Sequence, residues 1–468
     1  MITPTFLITK ELDASNLRKT LFDKGIYAKE YDSDGLMLLY NKFDSPITTE
    51  LERECRSLVI DIKTKQIKSY SCETPLLNNY GLEFLEKNVE QKKIITKCYE
   101  GTYLSLFYHN DKWYVSTRRC LNSCDSKYNE TKSHYEMFID VLKKSGYDSF
   151  DDFNLKLDIT KSYYFVLIHH ENKHIIDYTP IFGENYMKLC LIAVRDNNMC
   201  EIDVVPSFAV YDPMAFIFIA EKFDSIEQFH EENKLIKYDS QPINEGIMIQ
   251  VWSNTMNKYN LVKLQYNNYE FSNALGHDTN IFKGFLYLYQ NNKLLNYMSD
   301  ADTKHNFKKI VNPLNTSESF DTLGIIDSTF KVLASELFEL FKKVCVIQTG
   351  KQNNKELYLL LPKEYKDIIY GLRGLYYNKK ALYYNVDDKN KYFKITDIYN
   401  YLKIVNINIV IKLIKTRRLM FNWVKLDSKN VELQNFGTIS NLCTKPQLKF
   451  CGIITNKLFP DILPTDIP

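Results

Sequence analysis

At 468 residues the chain is long enough for two or three domains with an ample core. Hydrophobic residues at 45% and charged residues at 25% exclude a disordered or fibrous chain. A net charge of +2 excludes a global positive field, so any nucleic-acid surface has to be a local patch.

From Met1 to about Gln265 the pattern is short strands mixed with short helices. Leu58-Val59-Ile60-Asp61 and Gln66 to Tyr70 flank a polar Lys-Thr-Lys turn and predict a hairpin. Tyr103 to Phe107 and Trp113 to Ser116 flank His109-Asn110-Asp111 and predict a second. Tyr163 to Ile168 reads as an apolar strand. Leu189 to Val194 and Glu201 to Val205, around Arg195-Asp196-Asn197-Asn198, predict a third hairpin. Ile247 to Trp252 and Tyr259 to Leu264, around Ser253-Asn254-Thr255, predict a fourth. Helical spacing appears near Tyr135 to Ser145 and Ile226 to Asn233. After about Asn267 helical spacing dominates: Phe282 to Met298, Phe330 to Lys343, Lys363 to Leu372 and Thr396 to Arg418. The fold class expected is α+β with antiparallel sheets over residues 1–272, followed by a mainly α-helical domain over 273–468. No internal repeat or low-complexity tract is present.

Ten cysteines are scattered without a CxxC pair, which argues against a structural zinc and against a disulfide scaffold. Reduced thiols in an intracellular protein are the expectation. The 34 Tyr and 28 Phe are read first as AT-rich coding and only second as stacking platforms for bases. No apolar run reaches transmembrane length, so no membrane partner is expected. Met1-Ile2-Thr3-Pro4 lacks a basic n-region, so no signal peptide is expected. Thr349-Gly350-Lys351 lacks the earlier glycine of a P-loop.

Five blocks carry the chemistry. Glu54-Cys55-Arg56-Ser57 precedes an apolar run, placing an arginine at a strand start. Lys97-Cys98-Tyr99-Glu100-Gly101-Thr102 sets a lysine just before an acid and a glycine, with two β-patterned runs behind it, through Thr117-Arg118-Arg119. Phe165 to Lys173 is a strand ending in His169-His170-Glu171-Asn172-Lys173. Asn244-Glu245-Gly246 opens an apolar strand, and Leu261-Val262-Lys263-Leu264-Gln265 follows.

In this order the blocks resemble the covalent nucleotidyltransferase superfamily of RNA ligases, DNA ligases and mRNA capping enzymes. They are most similar to bacteriophage-type ATP-dependent RNA ligases and the related proteins of large DNA viruses, over roughly the first 270 residues. The resemblance implies a nucleotidyltransferase fold in which a lysine amine attacks the α-phosphate of ATP. It assigns Lys97 as the nucleophile and Glu100, Glu245 and Lys263 as catalytic. Glu245 would also bind Mg²⁺, and Arg56, Gly101, Thr102 and Gln265 would touch the nucleotide. The His169-His170 pair reads as a polar turn ahead of an acid-base pair.

Three positions depart from the family pattern. The ligases place the acid two residues after the lysine, but two residues before Glu100 stands Cys98. Side chains alternate along a strand, so this shift turns Lys97 to the opposite face unless a β-bulge restores it. The strand glutamate that contacts ribose is replaced by Val166. The second lysine of a Lys-x-Lys pair is replaced by Gln265, which keeps a donor and loses the charge.

The C-terminal region adds a basic segment, Lys412, Lys415, Arg417 and Arg418, read as an RNA contact by analogy with the helical domain of the phage-type ligases. The leading expectation is an RNA-ligase-like protein that engages RNA or RNA ends, with adenylyl transfer impaired or lost. The alternative is an active ligase that joins 5′-phosphate and 3′-hydroxyl ends through Lys97-AMP, using ATP and Mg²⁺; otherwise no cofactor is expected. A third reading is a scaffold subunit of a viral transcription or packaging machine. Partners would be RNA and viral or plasmid nucleic-acid-processing proteins, in the cytoplasm or the virus particle.

Overall fold

The computed structural model describes residues 3–42, 47, 49–127, 132–238, 240–275, 281–295, 322–345, 358–359, 361–382 and 393–427. The chain divides into two compact units, Met1–His277 and Asp278–Pro468.

The first unit is α+β and rich in antiparallel sheet, as the alternating patterns predict. Three sheets form it. The first is a meander of β1 (Ile26–Tyr31), β2 (Leu36–Asn41), β3 (Leu58–Asp61) and β4 (Ile67–Tyr70). The second takes β7 (Thr102–His109), β8 (Lys112–Thr117), β9 (Lys161–His169), β10 (Met187–Asp196) and β11 (Ile217–Ile219), in the order β11-β10-β9-β7-β8. The third takes β5 (Leu76–Leu77), β6 (Lys93–Cys98), β12 (Gly246–Ser253) and β13 (Lys258–Gln265), in the order β5-β13-β12-β6. Pairings are antiparallel except β10 with β11 and β5 with β13.

Each sheet buries one face under helices: Leu21 of α1 (Leu17–Asp23) packs on Ile26, Met37, Leu39 and Leu58 of the first, and the short α6 (Thr179–Phe182) adds Ile181 and Phe182 beside the second. Met137, Phe138, Val141 and Leu142 of α4 (His134–Lys144) and Phe153 of α5 (Phe150–Asn154) pack on Leu104, Leu106, Phe165 and Leu167. Full burial of such side chains stabilises by about 1.5–3 kcal/mol each. The α4 helix starts where it does because Ser133 and Glu136 form a capping box. On the third sheet Leu85 of α3 (Asn78–Lys87) and Phe229 of α7 (Ile226–Leu235) cover Ile247, Ile249, Val262 and Leu264.

The third hairpin closes only at its turn: the Asp196 amide donates to the Cys200 carbonyl and the Ile202 amide to the Val194 carbonyl, and the predicted strand through Val205 does not continue. Glu201 bridges Arg195 within that turn, and further along β10 its Leu189–Leu191 stretch takes β11 as a parallel neighbour. The Arg195 guanidinium is drawn inward to the Tyr70 and Ser71 carbonyls and to Glu201, and Pro206, which cannot donate to a ladder, follows soon after.

The second unit is helical in its described residues: Ile281–Gln290, Thr322–Cys345, Lys363–Leu382, Ile395–Ile404 and Ile407–Asp427. The predicted helix from Thr396 to Arg418 is two helices. Val405 is extended, and the Asn406 side chain accepts from the Asn408 amide, so the chain restarts a helix there. No described helix is long and apolar enough to cross a membrane.

Candidate functional site

The β6 strand pairs with β12 without a break from Lys93 to Cys98, so the bulge that would bring Lys97 round is absent. Cys98 lies opposite Gly246, which in turn lies opposite Gln265; Thr96 lies opposite Met248, which lies opposite Lys263. Strand parity therefore puts Cys98, Lys263 and Gln265 on one face of the sheet. Lys97 belongs to the other face with Ile247 and Ile95, where α3 and α7 pack.

On the Cys98 face, Glu245 is the hub. Its Oε1 accepts from Lys263 Nζ at 2.7 Å and from Gln265 Nε2 at 3.2 Å. Its Oε2 accepts from the Cys98 thiol at 3.2 Å. Burial alone would raise the Glu245 pKa, but the Lys263 charge and the hydrogen bonds from Lys263, Cys98 and Gln265 hold it below the usual carboxylate range. Burial, reinforced by the Glu245 charge, pushes the Cys98 thiol up to about 12. Gly246 permits this approach: its φ is 146°, and a Cβ there would run into the Leu264 carbonyl.

On the opposite face Lys97 Nζ pairs with Glu221 Oε2 at 2.9 Å, and Tyr99 donates to the same oxygen at 2.8 Å. The Lys97 amide donates to the Glu221 carbonyl, so backbone and side chain are both tied to that segment. The Lys97 side chain is 43% exposed against 16% for Lys263, which separates a surface pair from a buried one.

Glu100 leaves β6 for β7 and clamps a loop. Its carboxylate accepts from the Ile175 and Ile176 amides at 2.8–3.0 Å. Burial raises its pKa, and those two amides oppose the rise. Gly101 is required because a Cβ would collide with the Leu167 carbonyl of β9. Thr102 accepts from Asn172 Nδ2 at 2.7 Å. Glu100 and Thr102 thus both bind the segment after β9. Val166 joins an apolar cluster with Tyr99, Ile168 and Phe218. His169 is fully buried rather than a solvated turn residue.

Arg56, just past α2 (Glu50–Glu54), donates to Cys72 Sγ at 3.3 Å and lies 6.0 Å from the Tyr103 ring centroid. Its charge opposes that of Lys263 and is the main influence pushing against the charged form of Arg118, at the end of β8. Solvent reaches the Arg118 side chain, so screening blunts that repulsion. Arg118 stands near Arg56, because the Ser57 hydroxyl donates to the Thr117 carbonyl at the end of β8, while the Lys263 charge is met by Glu245. Sequence reasoning missed Arg118; its signal was the adjacent arginine pair ending a hairpin strand. It also missed Tyr269 of α8 (Asn267–Leu275), whose hydroxyl pKa is raised by burial and by Glu245, Glu100 and Cys98. No motif marks that tyrosine.

In the helical unit Lys412 and Lys415 are exposed, but Arg417 is buried and makes a bidentate bond to Glu336 at 2.5–3.1 Å. Arg417 is therefore a core ion pair and not part of a basic face. The Arg418 side chain lies outside the described residues.

A scan against protein-family models matches none. The chain is 26% identical over 175 residues to an immediate-early protein ICP-46 homolog of Invertebrate iridescent virus 3; the match covers 31% of this chain and 39% of that protein. The chain thus spans well under two thirds of the viral relative it matches. Among solved structures it is similar to an archaeal ATP-dependent RNA ligase (10% identity, TM-score 0.40, covering 70% of this chain and 81% of the other). It is also similar to a Naegleria gruberi RNA ligase variant in its apo form (13% identity, TM-score 0.28, covering 40% of this chain and 52% of the other).

Proposed function

We propose that this is an RNA-ligase-like protein that engages RNA or RNA ends and holds a nucleotide without forming a covalent lysyl-nucleotide. One observation carries the reading: the Lys97 amine and the Glu245–Lys263 pair lie on opposite faces of one sheet. Nucleotidyl transfer needs an amine in line with the α-phosphate, within about 3–3.5 Å. Lys97 is held away from that position by Glu221. Cys98 takes the position on the Glu245 face but presents a thiol too weakly acidic to form thiolate at neutral pH.

The remaining parts suit binding better than catalysis. Arg56 and Arg118 supply positive charge for phosphate oxygens, Lys263 is already met by Glu245, and Gln265 supplies a dipole where a second charge would stabilise the leaving group. The donor set does not fit a resident Mg²⁺. Glu245 is a single buried carboxylate whose oxygens already serve Lys263, Gln265 and Cys98, and Glu100 is turned to backbone amides. Lys412 and Lys415 offer exposed charge for an RNA backbone on the helical unit.

Equilibrium binding tests the reading. ATP binds non-covalently, and Arg56→Ala weakens it by about tenfold, the scale of a lost charge-assisted contact. A 5′-phosphorylated RNA oligonucleotide binds in a salt-dependent way, and removing Lys412 and Lys415 lowers the salt slope by about 1 per lysine. A protein that binds neither ATP nor RNA is a scaffold subunit instead.

A further inference from the structure

The Lys363–Leu382 helix of the second unit has two faces of different chemistry. Tyr365, Ile368, Ile369 and Leu372 are buried within the helical unit. Lys363, Lys366, Tyr370, Arg373 and Tyr377 follow one another at steps of three and four, so they stand in one row along another side. The row runs for about four turns, or roughly 21 Å. Charge and ring share it. Tyr370 is 74% exposed and Tyr377 48%. Lys363 and Arg373 are exposed, and half-buried Lys366 donates to the Leu359 carbonyl at 2.8 Å. The Arg373 guanidinium carbon lies 5.6 Å from the Tyr377 ring centroid. Glu364 and Asp367 share the helix, yet among the described residues no carboxylate pairs with Lys363, Lys366 or Arg373. The helix packs on Ile407–Asp427, which carries the exposed Lys412 and Lys415, so further cations stand on the adjoining element.

We infer that this row is a binding surface for unpaired RNA, with bases stacking on Tyr370 and Tyr377 and phosphates meeting Lys363, Lys366 and Arg373. The inference rests on the reading that the protein engages RNA, and it gives that contact a place and a preference. An exposed tyrosine alone means little. Rings set between unpaired cations offer two things at once: faces on which bases stack and charges for the backbone that links them. The mixture argues against a protein helix or groove as the occupant, since such a contact calls for a continuous apolar stripe. It also argues against a duplex, whose bases are stacked on one another and present no face to a tyrosine. Stacking accepts every base, so the surface selects unpaired strands with little regard to sequence.

The test uses the full chain and fluorescence anisotropy with an end-labelled oligouridylate, beside a duplex RNA of the same length, over a range of salt. The unpaired strand binds about tenfold more tightly than the duplex. Tyr370→Ala and Tyr377→Ala each weaken it by about tenfold, whereas Tyr370→Phe and Tyr377→Phe stay within about twofold, because stacking uses the ring and not the hydroxyl. Lys363→Gln and Arg373→Gln each flatten the salt slope by about 0.7, the share of one charge on a single strand. RNA binding that survives both alanine changes, or equal affinity for the duplex, overturns this surface and leaves RNA engagement elsewhere on the chain intact. Displacement of the strand by polyglutamate as efficient as by unlabelled RNA also overturns it and makes the row a surface for an acidic protein segment. A native chain that binds no RNA overturns both this surface and the reading on which it rests.

Discussion

The two faces of the β6–β12–β13 sheet carry the same chemistry, a lysine paired with a glutamate, in opposite surroundings. Lys263–Glu245 is buried and cross-linked by Gln265 and Cys98. Lys97–Glu221 is half in water. Strand parity, not the presence of a lysine in the motif, decides which amine shares the Glu245 face.

The contrast breaks most visibly at Glu245. Glu245→Ala leaves the Lys263 ammonium buried without a counter-charge, and a loss of about 3–5 kcal/mol is expected in urea denaturation. The pH dependence sharpens this. Glu245 has a folded pKa below its ordinary value near 4.5, so its contribution is full above that pH and is lost as pH falls through the folded value. The stability gap between the native chain and Glu245→Gln is therefore widest near neutrality and closes below about pH 4.5. A gap that widened on acidification would show that Glu245 is not held ionised.

Thiol chemistry gives a smaller effect. Alkylation by iodoacetamide at pH 8, followed by peptide mass spectrometry, should modify exposed Cys124 at least about tenfold faster than buried Cys98. The smallest effect belongs to the other face. Lys97→Ala changes stability by no more than about 1 kcal/mol, because a half-exposed pair is screened and entropically costly. A loss as large as that of Glu245→Ala would erase the distinction between the faces.

Much of this was legible in the chain. Counting from Glu100 back to Cys98 gives the parity of β6, because alternation is a local property. The roles of Glu100 and Thr102 were not legible, since their partners Ile175, Ile176 and Asn172 lie about 70 residues on. Arg417 was legible but misassigned. Val410, Leu413 and Ile414 precede it at helical spacing, and that stripe is buried, so Arg417 follows its apolar neighbours inward to Glu336. The break at Val405-Asn406 also had a local signal, because asparagine is a favoured N-cap. Arg118 gains meaning only once β8 is placed beside Arg56.

The most direct measurement is covalent labelling: incubate the full chain with Mg²⁺ and α-labelled ATP, denature it, and separate it on a gel. The expected result is no protein-bound label in the native chain, nor in Lys97→Ala or Cys98→Ala. A label present in the native chain and in Cys98→Ala but abolished by Lys97→Ala would contradict the central claim and make Lys97 a working nucleophile.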